Sequence, residues 1–177
     1  MLNLIYRHLA KNAPGYLWLL AIGVLAGRYL AVSINVSDSL SGKVYLIQKG
    51  VKPELGDLAA FRYQGGGPYA PGAWFLKRVA GIAGASVSSV DLGSGYVEFF
   101  VDGKSVGRAK PKAKSGIPLM PGPTGKIPPS HYYMAAPHPD SLDSRYALVG
   151  WIKDEHVIGR AFQMLWGFPR ASALNLP

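Results

Sequence analysis

Three short segments of this sequence set hydroxyls, an amine and charged groups at spacings that could do chemistry. In Asn35-Val36-Ser37-Asp38-Ser39-Leu40-Ser41, serines occupy alternate positions, so an extended chain turns all three hydroxyls to one side. In Trp74-Phe75-Leu76-Lys77-Arg78-Val79 a lysine stands among apolar residues, and at a two-residue period Phe75, Lys77 and Val79 share a strand face. In His138-Pro139-Asp140-Ser141-Leu142-Asp143-Ser144-Arg145-Tyr146, the residues Ser141, Asp143 and Arg145 alternate. A serine hydroxyl is a poor nucleophile unless a base takes its proton. A lysine can be that base only when neutral, and at its ordinary pKa of about 10.4 almost none is neutral at pH 7. Burial disfavours the ammonium and lowers that pKa. A Ser–Lys pair acting on a carbonyl carbon is therefore one chemistry these segments allow.

Each segment also has a plainer reading. Serines at a junction form polar linkers, a lysine on an edge strand guards against aggregation, and an Asp two residues from an Arg forms a structural ion pair. A second catalytic design is open as well, a Ser–His–Asp triad from Ser39, His138 and Asp143, since such triads are recognised by geometry and not by sequence order.

Composition narrows the field. The chain has no cysteine, which excludes a thiol nucleophile, a disulfide framework and thiolate metal sites. His131, His138 and His156 follow no recognised ligand spacing, so neither a metal nor a cofactor is expected. With 22 glycines and 14 prolines among 177 residues the chain is no helical bundle, because these residues are the costliest inside helices. Only 16% of residues are charged, too few for a disordered, charge-rich tail.

The elements that must position these groups follow from charge and hydropathy. Residues 1–34 contain no acid and carry Arg7, Lys11 and Arg28. Ala13–Ile34 is long enough to cross a bilayer if Arg28 reaches the far interface, since a span needs roughly 20 apolar residues. The expected organisation is a cytoplasmic N-terminus over 1–12, a transmembrane anchor over 13–34 and an extracytoplasmic domain over 35–177, oriented by Arg7 and Lys11 on the inner side. A cleaved signal peptide and a buried core helix are the alternatives for the same stretch. From residue 43 the signals are strands, over 43–47, 57–61, 73–82, 96–101, 104–109, 131–136, 145–150 and 156–162, with Asp102-Gly103 as a tight hairpin turn. An acid-free stretch over 103–130 holds Lys104, Arg108, Lys110, Lys112, Lys114 and Lys126, and its Gly and Pro content predicts a surface excursion. A charge-only signal of this kind admits a different function, a membrane-tethered β domain that binds nucleic acid or anionic lipid. The stretch lacks interleaved aromatic residues, which weakens the nucleic-acid case.

Read together and in order, the segments resemble the type I signal peptidases, most closely the conjugative-transfer (TraF-type) branch. The family's pattern is a serine just outside an anchor, a Lys-Arg-Val-x-Gly box, an Asp-Ser-Arg-Tyr box and Ile-x-Gly-Arg-Ala. Here these stand as Ser39, Lys77-Arg78-Val79-Ala80-Gly81, Asp143-Ser144-Arg145-Tyr146 and Ile158-Gly159-Arg160-Ala161. The likeness runs from about Tyr16 to Phe162. The chain departs from the pattern at Ser41, where proline is usual, at Lys43, where glycine is frequent, at Ala136-Pro137-His138 before the third box, and at Ala147-Leu148-Val149 after it.

The resemblance implies a mainly β, signal-peptidase-like domain behind a single N-terminal transmembrane helix. It implies Ser39 as nucleophile and Lys77 as general base. It further implies Ser37 as an oxyanion-hole hydroxyl beside the Ser39 backbone N–H, Ser141 as the group that orients the lysine amine, and Asp143 with Arg145 as a supporting ion pair. The implied activity is a serine endopeptidase of the inner membrane, acting on the periplasmic side. Its partners would be the bilayer and an exported or membrane-inserted precursor cut after small residues, with a conjugative pilin precursor as the branch's associated substrate. No cofactor, metal or nucleic acid is expected.

Overall fold

The computed structural model describes residues 2–35, 39–41 and 43–164. It begins with one helix, α1 (Leu2–Tyr29), which has no acid in its first turn and Arg28 in its last. The stretch Asn3–Tyr29 is long and apolar enough to cross a membrane. Its described side chains are exposed, Ala13 partly excepted, so α1 is not a core helix of the β domain. The helix meets the domain at its C-terminal end, where the Lys49 ammonium donates to the Gly27 carbonyl at 2.6 Å. That carbonyl belongs to the last turn, whose acceptors have no partner inside the helix.

The helix stops five residues short of the expected span. Leu30–Ile34 is strand β1, paired antiparallel with β2 (Val44–Lys49) from Leu30 opposite Gln48 to Ile34 opposite Val44. The apolar run through Ile34 reads equally well as helix or strand, because its β-branched residues fit a pleated surface. Pairing with β2 decides the matter.

Beyond β2 the chain forms β3 (Leu58–Arg62), β4 (Trp74–Gly81), β5 (Ser86–Asp91), β6 (Val97–Val101), β7 (Lys104–Ala109), β8 (Gly125–Lys126), β9 (His131–Ala135), β10 (Ile152–Lys153) and β11 (Val157–Gln163). They make two antiparallel sheets, one in the order β1-β2-β11-β3-β4-β9-β10 and a smaller one in the order β7-β6-β5-β8. In the small sheet Asp102 and Gly103 both adopt positive φ, 46° and 76°, the pair of left-handed residues that a two-residue hairpin turn requires.

Period-two alternation, reset in β11 by a bulge between Val157 and Gly159, divides the large sheet's side chains between two clusters. Tyr45, Ile47, Ala60, Leu76, Ile158 and Ala161 pack on one side. Ala59, Phe61, Val79, Tyr132, Met134 and Ile152 pack on the other. A third cluster joins Val87, Phe99 and Val101 of the small sheet to Tyr133, Ala135 and Tyr146.

Two sequence expectations change here. Residues 145–150 are a succession of turns, with Tyr146 making an isolated bridge to Pro121. Asp143, Ser144, Arg145 and Tyr146 are all buried in succession, which a strand alternating between two faces cannot achieve when one face is wet. The basic stretch 103–130 is also less of an excursion than its composition suggests. It opens with β7, and Ala109, Leu119 and Ile127 return to the core, leaving its charged ends to point outward.

Candidate active site

Ser39 sits in a turn between β1 and β2 and is half-buried. The turn is held from both sides. Asn35 N–H donates to the Lys43 carbonyl at 2.7 Å, and the Asn35 side-chain amide donates to the Leu40 carbonyl at 3.2 Å. Leu40, next to Ser39, inserts into the core with Tyr45 and Ile47. An apolar anchor beside an otherwise polar loop thus fixes where Ser39 stands.

Lys77 lies on the interior strand β4, opposite Ala59 of β3. The small alanine leaves room for a long side chain over the sheet. Lys77 is only 6% exposed, and its ammonium nitrogen lies 5.7 Å from the Phe75 ring centre. Phe75 is itself stacked on Tyr63 at 4.8 Å and met edge-on by Tyr69 at 5.1 Å. Among the described residues no carboxylate comes within ion-pair distance of Lys77. Burial drives its pKa down to about 8; the more distant Asp143 opposes the shift and Arg145 adds to it.

The reason Asp143 does not capture Lys77 is visible in its own partners. Both carboxylate oxygens are taken by the Arg145 guanidinium, Nε and Nη2 each donating at 2.8 Å. Ala136 N–H donates to the same carboxylate at 3.1 Å. Arg145 in turn donates to the carbonyls of Arg108, Ala136, His138 and Ser141 at 3.2–3.4 Å. The pair is almost wholly buried, and such a pair persists only when the remaining donors and acceptors are satisfied, as they are here. Gly107 of β7 adopts a φ of +100°, and a Cβ there would lie 2.7 Å from an Arg145 nitrogen. The small sheet therefore reaches the site through Gly107 and Arg108.

Ser141 hangs from this frame. Its N–H donates to the His138 carbonyl, while its hydroxyl oxygen is buried with no hydrogen-bond partner among the described residues. Buried polar groups are nearly always paired; the Tyr63 and Tyr133 hydroxyls and the Trp151 indole N–H share this exception among the described residues.

Ser39, Lys77 and Ser141 line one cleft of about 380 Å³, walled by Tyr69, Trp74 and Phe75. Asp143 and Arg145 lie behind it. Ser37 falls outside the described residues. His138 also borders the cleft, but its Nδ1 accepts from the Asp140 N–H at 3.2 Å, and the carboxylate of Asp143 is committed to Arg145. The Ser39–His138–Asp143 triad thus lacks a free acid to hold the imidazole. Among the described residues no group of His, Asp or Glu side chains is arranged to hold a metal ion.

Two features of the cleft escape sequence reasoning. Tyr69 reaches it from a glycine-rich loop with no periodic signal. Asp140 draws in both Lys110 and Lys114 from the basic segment, a pairing between residues far apart in the chain that no local spacing reveals.

Comparison with known proteins agrees with the architecture. The sequence matches the family model for signal peptidase, peptidase S26, over residues 12–166. It is 28% identical over 159 residues to signal peptidase I of Pseudomonas fluorescens, covering 71% of this chain and 53% of that one. It is 26% identical over 155 residues to signal peptidase I of Pseudomonas aeruginosa, with the same coverage. The chain spans about half the length of these curated relatives.

Proposed function

The chain belongs to the signal peptidase family, peptidase S26, and from that premise we propose that it is a membrane-anchored serine endopeptidase acting through Ser39 and Lys77. The observation that carries the proposal is a buried lysine with its pKa lowered to about 8 in the same cleft as a half-buried serine. At pH 7 such a lysine is neutral roughly a tenth of the time, some hundredfold or more above an unperturbed one.

In the proposed reaction the neutral Lys77 amine takes the Ser39 hydroxyl proton as the oxygen attacks the scissile carbonyl. Collapse of the tetrahedral adduct breaks the C–N bond, and the lysine returns the proton to the departing amine. Water, deprotonated by the same lysine, then attacks the acyl-serine ester; as its C–O bond breaks the lysine hands that proton to the Ser39 oxygen, and the leader's carboxylate is released. In this proposal the Ser141 hydroxyl, which lines the same cleft as Lys77 and makes no hydrogen bond among the described residues, turns to aim the amine during the reaction. Asp143 and Arg145 hold the loop that carries Ser141. Ser37, with the Ser39 N–H, is the proposed oxyanion donor; one such donor is typically worth about 3–4 kcal/mol.

The proposed substrate is an exported or membrane-inserted precursor, cut just beyond its apolar segment. Support comes from the position of Ser39, which follows α1 by one short strand and so lies near the membrane surface. Arg7 and Lys11, in the N-terminal part of α1, where the sequence has no acid, argue for an inner-membrane protein with residues 35–177 in the periplasm. A conjugative pilin precursor is the more specific substrate we propose, on the motif likeness set out above. The test is to incubate the full-length protein and its Ser39→Ala form with candidate precursors in membranes and to read the product ends by mass spectrometry. Cleavage after small residues that disappears in Ser39→Ala supports the proposal. Cleavage that survives in Ser39→Ala overturns it.

A further inference from the structure

Beside the main cleft lies a second cavity of about 260 Å³. The two are not separate places, for Tyr69, Lys114, Asp140, Ser141 and Leu142 line both. The second cavity has an apolar floor that includes Leu119 and Tyr146, and a rim of three lysines, Lys110, Lys112 and Lys114. An elongated segment lying in the main cleft past Ser141 would run into it.

The lysine loop is shaped before any ligand arrives. Lys112 bridges to Pro118, Ala113 N–H donates to the Ile117 carbonyl, Gly116 N–H donates to the Ala113 carbonyl, and Leu119 N–H donates to the Pro111 carbonyl. Asp140 ties this loop to the third box through Lys110 and, at 2.9 Å, Lys114. Those two hydrogen bonds, Lys110 first, hold the Asp140 carboxyl down to about 2, so it stays ionised at any working pH. One carboxylate facing three ammoniums leaves the rim with two positive charges in excess. Lys112 has no carboxylate within ion-pair distance among the described residues.

We propose that this annex receives an acidic side chain of the precursor a few residues from the scissile bond, with Lys112 and Lys114 meeting its carboxylate. The inference rests on the peptidase reading above and adds a specificity element to it. The rim's shape favours a peptide over a lipid surface, because the lysines surround a concavity with an apolar floor continuous with the site of chemistry. A lipid headgroup layer would need no such floor.

The test uses full-length protein in phosphatidylcholine vesicles and peptides that differ only by Glu or Gln at single positions on each side of the cut. At one or two adjacent positions Glu should raise kcat/KM roughly threefold to tenfold over Gln, the scale of one or two partly exposed ion pairs. The advantage should shrink as salt is raised, since these charges are screened. The Glu/Gln ratio should fall to about one in Lys112→Gln/Lys114→Gln and invert in Lys112→Glu/Lys114→Glu. Thermal denaturation of both variants checks that they fold.

A ratio near one at every position in the unmodified protein, alongside Ser39-dependent cleavage, overturns the annex and leaves the peptidase reading standing. A ratio that persists in Lys112→Gln/Lys114→Gln overturns it too. So does loss of binding to phosphatidylglycerol vesicles in that variant with the peptide ratio unchanged, which would assign the lysines to lipid. Absence of any Ser39-dependent cleavage defeats the peptidase reading itself, and the annex with it.

Discussion

The floor of the main cleft and the rim of its annex each hold lysines near an aspartate, yet the two regions treat charge in opposite ways. On the floor, Asp143 is close enough to influence Lys77 but gives both oxygens to Arg145. Burial is then the largest influence on the amine, and its pKa falls. On the rim, Asp140 hydrogen-bonds Lys110 directly, and that bond raises the lysine's pKa. The same two residue types thus yield a candidate base in one place and a fixed cation in the other. The difference lies first in burial, which lowers Lys77 and hardly touches Lys110, and second in Arg145, which occupies the acid that would otherwise pair with Lys77. An acid near a lysine does not make an ion pair when a guanidinium already fills the carboxylate.

Four substitutions probe that contrast. The largest effect is expected from Lys77→Arg. It keeps a cation at the floor, but arginine does not deprotonate in proteins. A lost general base costs about 10²–10⁴ in rate, and we expect the upper part of that range because one lysine serves both steps. Near-normal turnover of a precursor by this variant would make residue 77 a structural cation like those of the rim. Next comes Asp143→Ala, which leaves the buried Arg145 without its counter-charge. Breaking one side of a buried pair costs about 3–5 kcal/mol, to be read as a lower denaturation midpoint, with activity lost through the loosened loop.

Ser141→Ala should lose about a hundredfold in rate, the cost of misaiming a reacting group, with stability close to that of the unmodified protein because no described hydrogen bond is removed. Comparable unfolding of Ser141→Ala and Asp143→Ala would erase the distinction drawn between aiming and holding. Asp140→Asn on the rim should have the smallest effect, with thermal stability near that of the unmodified protein at neutral pH. Asp140 has a pKa below its ordinary value of 3.8, so any stability it adds is present above about pH 4 and fades as pH falls toward about 2. A large destabilisation at neutral pH would place this pair with the buried one.

The mainly β fold, the apolar N-terminal helix and the Asp102-Gly103 turn were legible because each depends on local composition or period. The end of the helix was not. Leu30–Ile34 has no residue that forbids either state, and only its register with β2 settles it. The third box was legible as a motif but not as a shape, since residues 145–150 look like an alternating strand until Arg145 and Tyr146 are both found inside. Ser39, Lys77 and Ser141 were singled out in the sequence, and they line one cleft. What isolates Lys77 is a set of long-range facts. Ala59 opposite it, the Tyr63–Phe75–Tyr69 wall and the prior claim of Arg145 on Asp143 all come from other strands and loops. The link from the basic segment to Asp140 is of the same kind.

The central claim, that Lys77 is the base because burial has lowered its pKa, is tested most directly by the pH dependence of kcat/KM on a cleavable precursor peptide. A base works when deprotonated, so activity should rise with pH, reach half its maximum near pH 8, the value to which Lys77 is lowered, and level off above it. The same profile should persist in His138→Ala. A half-maximum well below pH 8 that vanishes in His138→Ala would contradict the account and transfer the base to His138.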